Sequence, residues 1–206
     1  MQQYLQLFLN SVQKKGKHLD KCFVVAFTSA LPEEGVSYVA QSFGVELARR
    51  IGKRTLIADA RRLTSLNILQ YESVGRYCFP TDVPNLWNLP ADEETNDEAA
   101  GEETDDDFRL QPYGDSNLKI SLANLQTLRF AFDYVLLDCP ALGVSDEATF
   151  FAPETDGVMV VVEADRTKRE QIQNTQRAIE TANGNLLGFI LNKRNYIVPN
   201  WLYKRL

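Results

Sequence analysis

One stretch of the chain combines residue types that could bind a phosphate group. It runs from Val24 to Tyr38 and is typical of a buried strand, a tight turn and the first turn of a helix. In such a loop, backbone N–H groups and the helix N-terminus hold an anion. The pattern that does this is G-x-x-x-x-G-K-[ST], whose lysine reaches the β- and γ-phosphates. Here Gly35 and Ser37 fit the end of the pattern, but Val36 stands where the lysine is expected.

The residues of this loop predict a weak affinity for a triphosphate. Val36 supplies no donor and no charge to the oxygens that gain charge during phosphoryl transfer. Glu33 and Glu34 add negative charge to the same turn, and two like charges about 6 Å apart repel by roughly 3 kcal/mol at an effective dielectric of about 20. Glu33 also lacks the freedom of glycine to adopt a positive φ. We further expect the ring of Tyr38 to occupy space near the α-phosphate.

Alternating strands and helices indicate how the loop is positioned. Continuous apolar runs predict buried strands, and periodic apolar residues predict helices. The strands are predicted at 22–27, 55–58, 85–90, 134–138, 157–162 and 186–191, and the helices at 2–13, 39–51, 63–70, 118–130, 145–151 and 168–182. This alternation predicts a mainly parallel central sheet flanked by helices, in a single α/β domain that spans residues 1–206.

The composition indicates in which cellular compartment the protein is found. No apolar run approaches the ~20 residues of a membrane span, and the N-terminus lacks the features of a signal peptide. The three cysteines, Cys22, Cys78 and Cys139, lie far apart and match no metal-ligand spacing. These features predict inert thiols in a reducing cytoplasm.

Two segments differ in charge from the rest of the chain. The net charge is −6, but ten acidic residues and no basic one lie between Asp92 and Asp107, which leaves 18 acidic against 22 basic residues elsewhere. This composition predicts a disordered insert at 91–107 that repels nucleic acid and either docks a basic partner or serves as a solvated linker. The tail at 193–206 combines aromatic and basic residues, and it either packs on the domain or contacts a partner or a membrane surface.

Four stretches, in order, resemble the bacterial tyrosine autokinases of capsule and exopolysaccharide export. That family is related to the septum-site and chromosome-partitioning ATPases of the P-loop class. The first stretch is the loop at 28–37. The second, at 54–62, resembles the family's second acidic motif, and the third, at 132–140, resembles its Walker B strand. The fourth comprises 156–162 and 187–193, and the whole resemblance covers about residues 1–195.

The resemblance implies roles for individual residues and also shows where the chain departs from the family. It implies that Asp59 and Asp138 are the acidic residues of a nucleotide site and that Asn192 reads adenine. Ser37 occupies the magnesium-ligand position. The second acid after Asp59 is replaced by Arg61.

These departures predict that catalysis is lost and that the site is vestigial. Asp59 and Asp138 would then be remnants of catalytic positions, and neither ATP nor Mg²⁺ is expected as a cofactor. If Mg²⁺ did bind, Ser37 and Asp138 would hold it. The predicted vestigial nucleotide site consists of Gly35, Val36, Ser37, Tyr38 and Asn192.

Three functions remain open from the sequence. The first is a degenerate kinase-like protein that docks on a membrane-embedded polysaccharide co-polymerase or another export component, recruited from the cytoplasm to the inner face of the membrane. Its support is the missing lysine together with Gln2, Leu5 and Phe8, which replace the charged ring-assembly motif of the family. The second is an active autokinase or ATPase that uses Arg61 or Arg62 as a substitute cation. The third is a membrane-surface positioning module that uses the basic aromatic tail.

Overall fold

The computed structural model of the protein describes residues 22–66, 74–90 and 115–194, with the side chains of 115–118 left aside. The predicted helix at 2–13, the acidic insert at 91–107 and the tail beyond residue 194 lie outside this part of the chain.

Strands and helices alternate through the described residues, as the sequence predicts. The strands are β1 Phe23–Ser29, β2 Thr55–Asp59, β3 Phe79–Pro80, β4 Leu86–Leu89, β5 Tyr134–Asp138, β6 Gly157–Glu163 and β7 Leu186–Asn192. The α-helices are α1 Val36–Ile51, α2 Ala60–Ser65, α3 Val74–Tyr77, α4 Asp115–Ala131, α5 Glu147–Phe151 and α6 Arg169–Thr181, and a 3₁₀ turn, Ala152–Glu154, follows α5.

The seven strands form one sheet in the order β3-β4-β2-β5-β1-β6-β7. All neighbouring strands pair in parallel except β3 and β4, which are antiparallel at the edge. The predicted mainly parallel sheet is therefore confirmed. Because β1 lies between β5 and β6, the loop after β1 starts near the middle of the sheet's carboxyl edge.

Both faces of the sheet are covered, which explains the uninterrupted apolar sequence of β1. All seven of its residues are buried. Phe27 on one face packs against Phe43 of α1, with ring centroids 5.4 Å apart. Residues of α2, α4, α5 and α6 cover the other face. A strand that is buried on both sides needs apolar side chains at successive positions, so it shows a run rather than an alternation.

The helix predicted at 63–70, of which residues 67–70 lie outside the described part of the chain, begins earlier than predicted. The apolar pattern predicts a helix at 63–70, but α2 starts at Ala60 and ends at Ser65. The Asp59 carboxylate accepts a hydrogen bond from the Arg61 N–H at 2.8 Å, so it caps the helix directly after β2. Asp59 therefore ends a strand and starts a helix at the same point. None of the helices in the described ranges has the length and hydropathy needed to cross a bilayer.

Candidate functional site

The loop between β1 and α1 keeps the backbone shape that the sequence indicates. Glu33 and Gly35 both have positive φ, 65° and 89°, and α1 begins at Val36. Glu33 thus adopts the left-handed conformation although it is not a glycine, at a cost of about 1 kcal/mol. Glu33 lacks the freedom of glycine, yet it adopts a positive φ and the turn survives with this substitution.

Glu34 points into the loop and not towards the solvent. Its side chain is fully buried, and one carboxylate oxygen accepts hydrogen bonds from the N–H groups of Ala30 and Leu31, both at 3.0 Å. The other oxygen accepts from the Glu163 N–H at 3.2 Å and from the Thr167 hydroxyl. The negative charge of Glu34 is therefore compensated inside the turn by four donors. The expectation that this charge simply adds to the repulsion of a triphosphate overlooks this internal role.

A cluster of charged residues after β6 and β7 also holds the loop. Lys193 Nζ donates to the carbonyl oxygen of Glu33 at 2.5 Å and to the Glu163 carboxylate at 3.1 Å. Arg166 donates to the carbonyl oxygen of Pro32 at 3.1 Å and to Glu163 at 2.9 Å. Hydrogen bonds from Arg166 and Lys193 hold the pKa of Glu163 below its ordinary value. We call these three residues, Glu163, Arg166 and Lys193, the loop clamp.

Asn192 lies against the loop. Its Nδ2 donates to the Glu34 carbonyl oxygen at 2.9 Å. The contact is so close that a Cβ atom on Gly35 would lie 2.4 Å from Asn192 Nδ2. Gly35 is thus needed both for its φ and for this approach. The adenine-reading role of Asn192 stays a prediction, and in this structure the same amide group supports the loop.

The next three residues of the predicted site point in different directions. Val36 is half-buried and packs against the hydrophobic cluster beneath α1. Ser37 is hydrogen-bonded to the carboxylate of Asp138. Tyr38 is 69% exposed, so its ring lies largely in solvent beside the loop. The position that carries the lysine in the phosphate-binding pattern therefore contributes to packing.

The two acidic residues predicted for the site lie on neighbouring strands. Asp59 ends β2 and Asp138 ends β5, and the two are paired in register. Burial raises the pKa of Asp138, the hydrogen bond from Ser37 lowers it, and the nearby charge of Asp59 raises it; the net direction is upward. The structure thus brings Ser37, Asp59 and Asp138 together at the carboxyl edge, as the resemblance implies.

The raised pKa of Asp138 gives a prediction for stability. When an acid has a higher pKa folded than unfolded, the folded state binds more protons in between, so its stability falls as the pH rises through that window. We therefore expect Asp138→Asn to raise the melting temperature at pH 7 in buffer with a chelator, and the gain to shrink in acid. Thermal unfolding from pH 7 to pH 4 measures this, with Asp82→Asn at an exposed position as the control. A loss of stability at pH 7 would contradict the prediction.

Arg61 is paired with the acidic residues of the site. Its guanidinium contacts both oxygens of the Asp59 carboxylate, with Nε–Oδ1 at 3.1 Å and Nη2–Oδ2 at 2.7 Å. The charges of Glu147 and Asp138 also act on it. The positive charge at this position is therefore already matched by carboxylates of the protein.

The cysteines have the character that the sequence predicts. All three are free thiols, and burial raises the pKa of Cys22 and Cys78 to about 12 and that of Cys139 well above its ordinary value. A thiol with a raised pKa is a poor nucleophile at neutral pH. Within the described ranges, no group of three or more His, Cys, Asp or Glu residues is arranged to hold a metal ion.

Sequence reasoning missed the loop clamp and the inward orientation of Glu34. A signal for the clamp was present, because Glu163 ends a parallel strand and ligand sites lie at the carboxyl ends of such strands. No local signal revealed the orientation of Glu34. Two of its donors, Glu163 and Thr167, lie 129 and 133 residues further along the chain.

Comparison with curated proteins finds relatives among bacterial kinases and transport proteins, while no family model matches the chain. The chain is 33% identical over 186 residues to the succinoglycan biosynthesis transport protein ExoP of Rhizobium meliloti, an alignment that covers 82% of this chain and 22% of ExoP. The chain thus spans about a fifth of that protein. It is 25% identical over 218 residues to the tyrosine-protein kinase CpsD of Streptococcus agalactiae, covering 97% of this chain and 86% of CpsD.

Solved structures share the fold. The kinase domain of the Escherichia coli tyrosine kinase ETK matches with a TM-score of 0.62 and 13% identity, over 95% of this chain and 78% of that one. The septum site-determining protein MinD of Pyrococcus horikoshii, solved with Mg-ADP, matches with a TM-score of 0.56 and 15% identity, over 89% and 76%. The chain therefore has the P-loop NTPase fold, and its relatives include bacterial tyrosine kinases and an exopolysaccharide transport protein.

Proposed function

We propose that this protein is a catalytically degenerate relative of the bacterial tyrosine kinases that acts through binding to other proteins. The main observation behind the proposal is that Val36 packs against the core. At the position of the phosphate-binding lysine, the chain has a half-buried aliphatic side chain that packs on the core. Such a residue cannot neutralise the charge that develops on a transferred phosphoryl group.

Three of the cations near the loop support this proposal. Arg61 is bound to Asp59 through two hydrogen bonds, so its charge is not free to act as a substitute for the lysine. Arg166 and Lys193 pair with Glu163 and donate to carbonyl oxygens of the loop. Each of the three is therefore engaged in holding the protein's own structure.

Phosphoryl transfer by the purified protein tests the enzymatic part of the proposal. We expect no release of phosphate from Mg-ATP and no phosphotyrosine above the level of Asp138→Asn, because both proteins would lack a working site. Phosphotyrosine on the wild type that disappears in Asp138→Asn would overturn the proposal. In that case the alternative, an active kinase with an unorthodox loop, would be correct.

The partner we propose is a membrane-embedded chain-length regulator of polysaccharide export or another component of that machinery. The relatives support this class of partner, since ExoP is a transport protein of succinoglycan biosynthesis. The protein would bind from the cytoplasmic side of the membrane. Because the site is proposed to be vestigial, this binding should not require nucleotide.

Co-purification tests the proposed partner. The full chain is co-expressed with the tagged chain-length regulator from the same organism, and the detergent extract is captured with and without Mg-ATP. We expect equal recovery in both conditions and equal recovery of Asp138→Asn. No recovery, or recovery only with Mg-ATP and only for the wild type, would contradict the proposal.

A further inference from the structure

Asp59 and Asp138 form a pair of neighbouring carboxylates whose mutual repulsion a P-loop protein relieves with a metal ion. The two carboxylates end adjacent parallel strands in register, and the first turn of α1 brings Ser37 to Asp138. In P-loop NTPases, a Ser or Thr of the loop and a strand-end Asp hold Mg²⁺. The solved MinD structure contains Mg-ADP. Without a cation, two carboxylates in such positions repel each other.

In this chain a guanidinium lies at the acid pair. Arg61 follows Asp59 by two residues, and the Asp59 carboxylate accepts three hydrogen bonds from it: the backbone N–H and Nε on Oδ1, and Nη2 on Oδ2. A planar guanidinium that contacts both oxygens of a carboxylate is the strongest form of this ion pair. The charge of Asp138 and that of Glu147 also act on Arg61.

The residues present do not fit Mg²⁺. This ion requires oxygen ligands in near-octahedral geometry. Both oxygens of the Asp59 carboxylate are engaged by Arg61, which leaves only Asp138 and Ser37 of this group as oxygen ligands. An additional dication would also be placed beside an existing positive charge.

We propose that the Arg61 guanidinium is the permanent counter-ion of the Asp59–Asp138 pair and takes the place of a divalent cation, so that the folded protein neither binds nor needs Mg²⁺ at this edge of the sheet. This inference goes beyond the proposed function, because it concerns the metal alone and depends on Arg61 and not on Val36. It also predicts that removing the guanidinium recreates a divalent cation site.

Thermal unfolding without nucleotide tests this inference. The variants are Arg61→Gln and, as a matched control, Arg50→Gln, which removes another exposed arginine that is ion-paired to a carboxylate, that of Glu46. Each protein is unfolded with MgCl₂ and with NaCl of equal ionic strength. We expect Arg61→Gln to be less stable than wild type in NaCl and to regain stability in MgCl₂, since a ligand that binds the folded state raises its melting temperature. Wild type and Arg50→Gln should show the same small response to MgCl₂.

A second readout measures the site directly. Mn²⁺ added to each protein is followed by its electron paramagnetic resonance signal, which falls when the ion is bound. The acidic residues at 92–107 are present in every variant, so binding to them is common to all. We expect Arg61→Gln to bind one Mn²⁺ more than wild type and Arg50→Gln, and the double variant Arg61→Gln/Asp138→Asn to lose that site.

Two results would overturn the inference. One is a wild type that responds to Mg²⁺ and binds Mn²⁺ as well as Arg61→Gln does. The other is an Arg61→Gln variant that folds but gains neither response. Neither result bears on phosphoryl transfer, which is measured with ATP, so the inference and the proposed function can fail independently.

Discussion

Replacing Glu34 with alanine is expected to destabilise the folded protein by about 4 kcal/mol. The buried carboxylate accepts hydrogen bonds from three backbone N–H groups and one hydroxyl, and each buried donor left unpaired costs about 1–3 kcal/mol, part of which water entering the space would recover. For a domain of this size, this corresponds to a fall of about 10 °C in the melting temperature. Thermal and urea unfolding measure the change.

The adjacent residue provides the control. Glu33 carries the same charge in the same turn, but its side chain is exposed, and its backbone φ of 65° is as unfavourable for alanine as for glutamate. Glu33→Ala is therefore expected to change stability by less than about 0.5 kcal/mol. Equal effects of the two substitutions would show that Glu34 does not hold the loop in the way its hydrogen bonds indicate.

Removing Arg129, which lies at the amino-terminal ends of β1 and β6, should have the next largest effect on stability. Its guanidinium donates to the carbonyl oxygens of Cys22 at 3.2 Å and Glu154 at 2.6 Å, and it pairs with Asp156 at 3.4 Å. The Asp156 side chain is only 5% exposed. Arg129→Met would remove this cation from a buried carboxylate that also accepts a hydrogen bond from the Val24 N–H, at a cost of about 3 kcal/mol in the free energy of unfolding.

A double-mutant cycle separates the lost ion pair from lost packing. Asp156→Asn keeps the shape of the side chain and removes its charge, so adding it to Arg129→Met should recover part of the lost stability. Arg50→Met removes an exposed arginine paired with Glu46 and should cost less than about 0.5 kcal/mol. If Arg129→Met costs as little as Arg50→Met, the buried pair has no structural role.

The sequence predicted the strands at the centre of the sheet closely. The strand predicted at 134–138 coincides with β5, and those predicted at 22–27 and 157–162 differ from β1 and β6 by at most two residues at either end. These strands are buried on both faces, so they consist of continuous apolar runs that are easily recognised.

The antiparallel edge strand β3 could not be predicted in the same way. The antiparallel strand Phe79–Pro80 contains a proline, which is tolerated only in an edge strand or at its start. In the turn that joins β3 to β4, the Thr81 N–H donates a hydrogen bond to the Leu86 carbonyl oxygen at 3.0 Å. Such an element is defined by its partner strand and carries no periodic signal of its own.

The candidate site was predicted in part. The positions of Ser37, Asp59 and Asp138 follow from motif order, because parallel strands bring their carboxyl ends to one edge. The hydrogen bonds and ion pairs that these charged side chains make within the protein could not be predicted. Arg61 pairs with Asp59 across a helix cap. Glu34 and the loop clamp bind groups far away in the chain, and only the folded backbone brings those groups together.

We propose that the loop between β1 and α1 has kept the shape of a nucleotide loop but lost the positive charge needed to bind a triphosphate. Calorimetric titration of Mg-ATP into the wild type, Val36→Lys and Val83→Lys tests it most directly. Val83 is also half-buried against the same hydrophobic cluster, so its variant controls for a lysine placed there. We expect no saturable heat for the wild type or Val83→Lys. If a single lysine restores Mg-ATP binding, it should do so only in Val36→Lys. Binding of Mg-ATP by the wild type with micromolar affinity would contradict it.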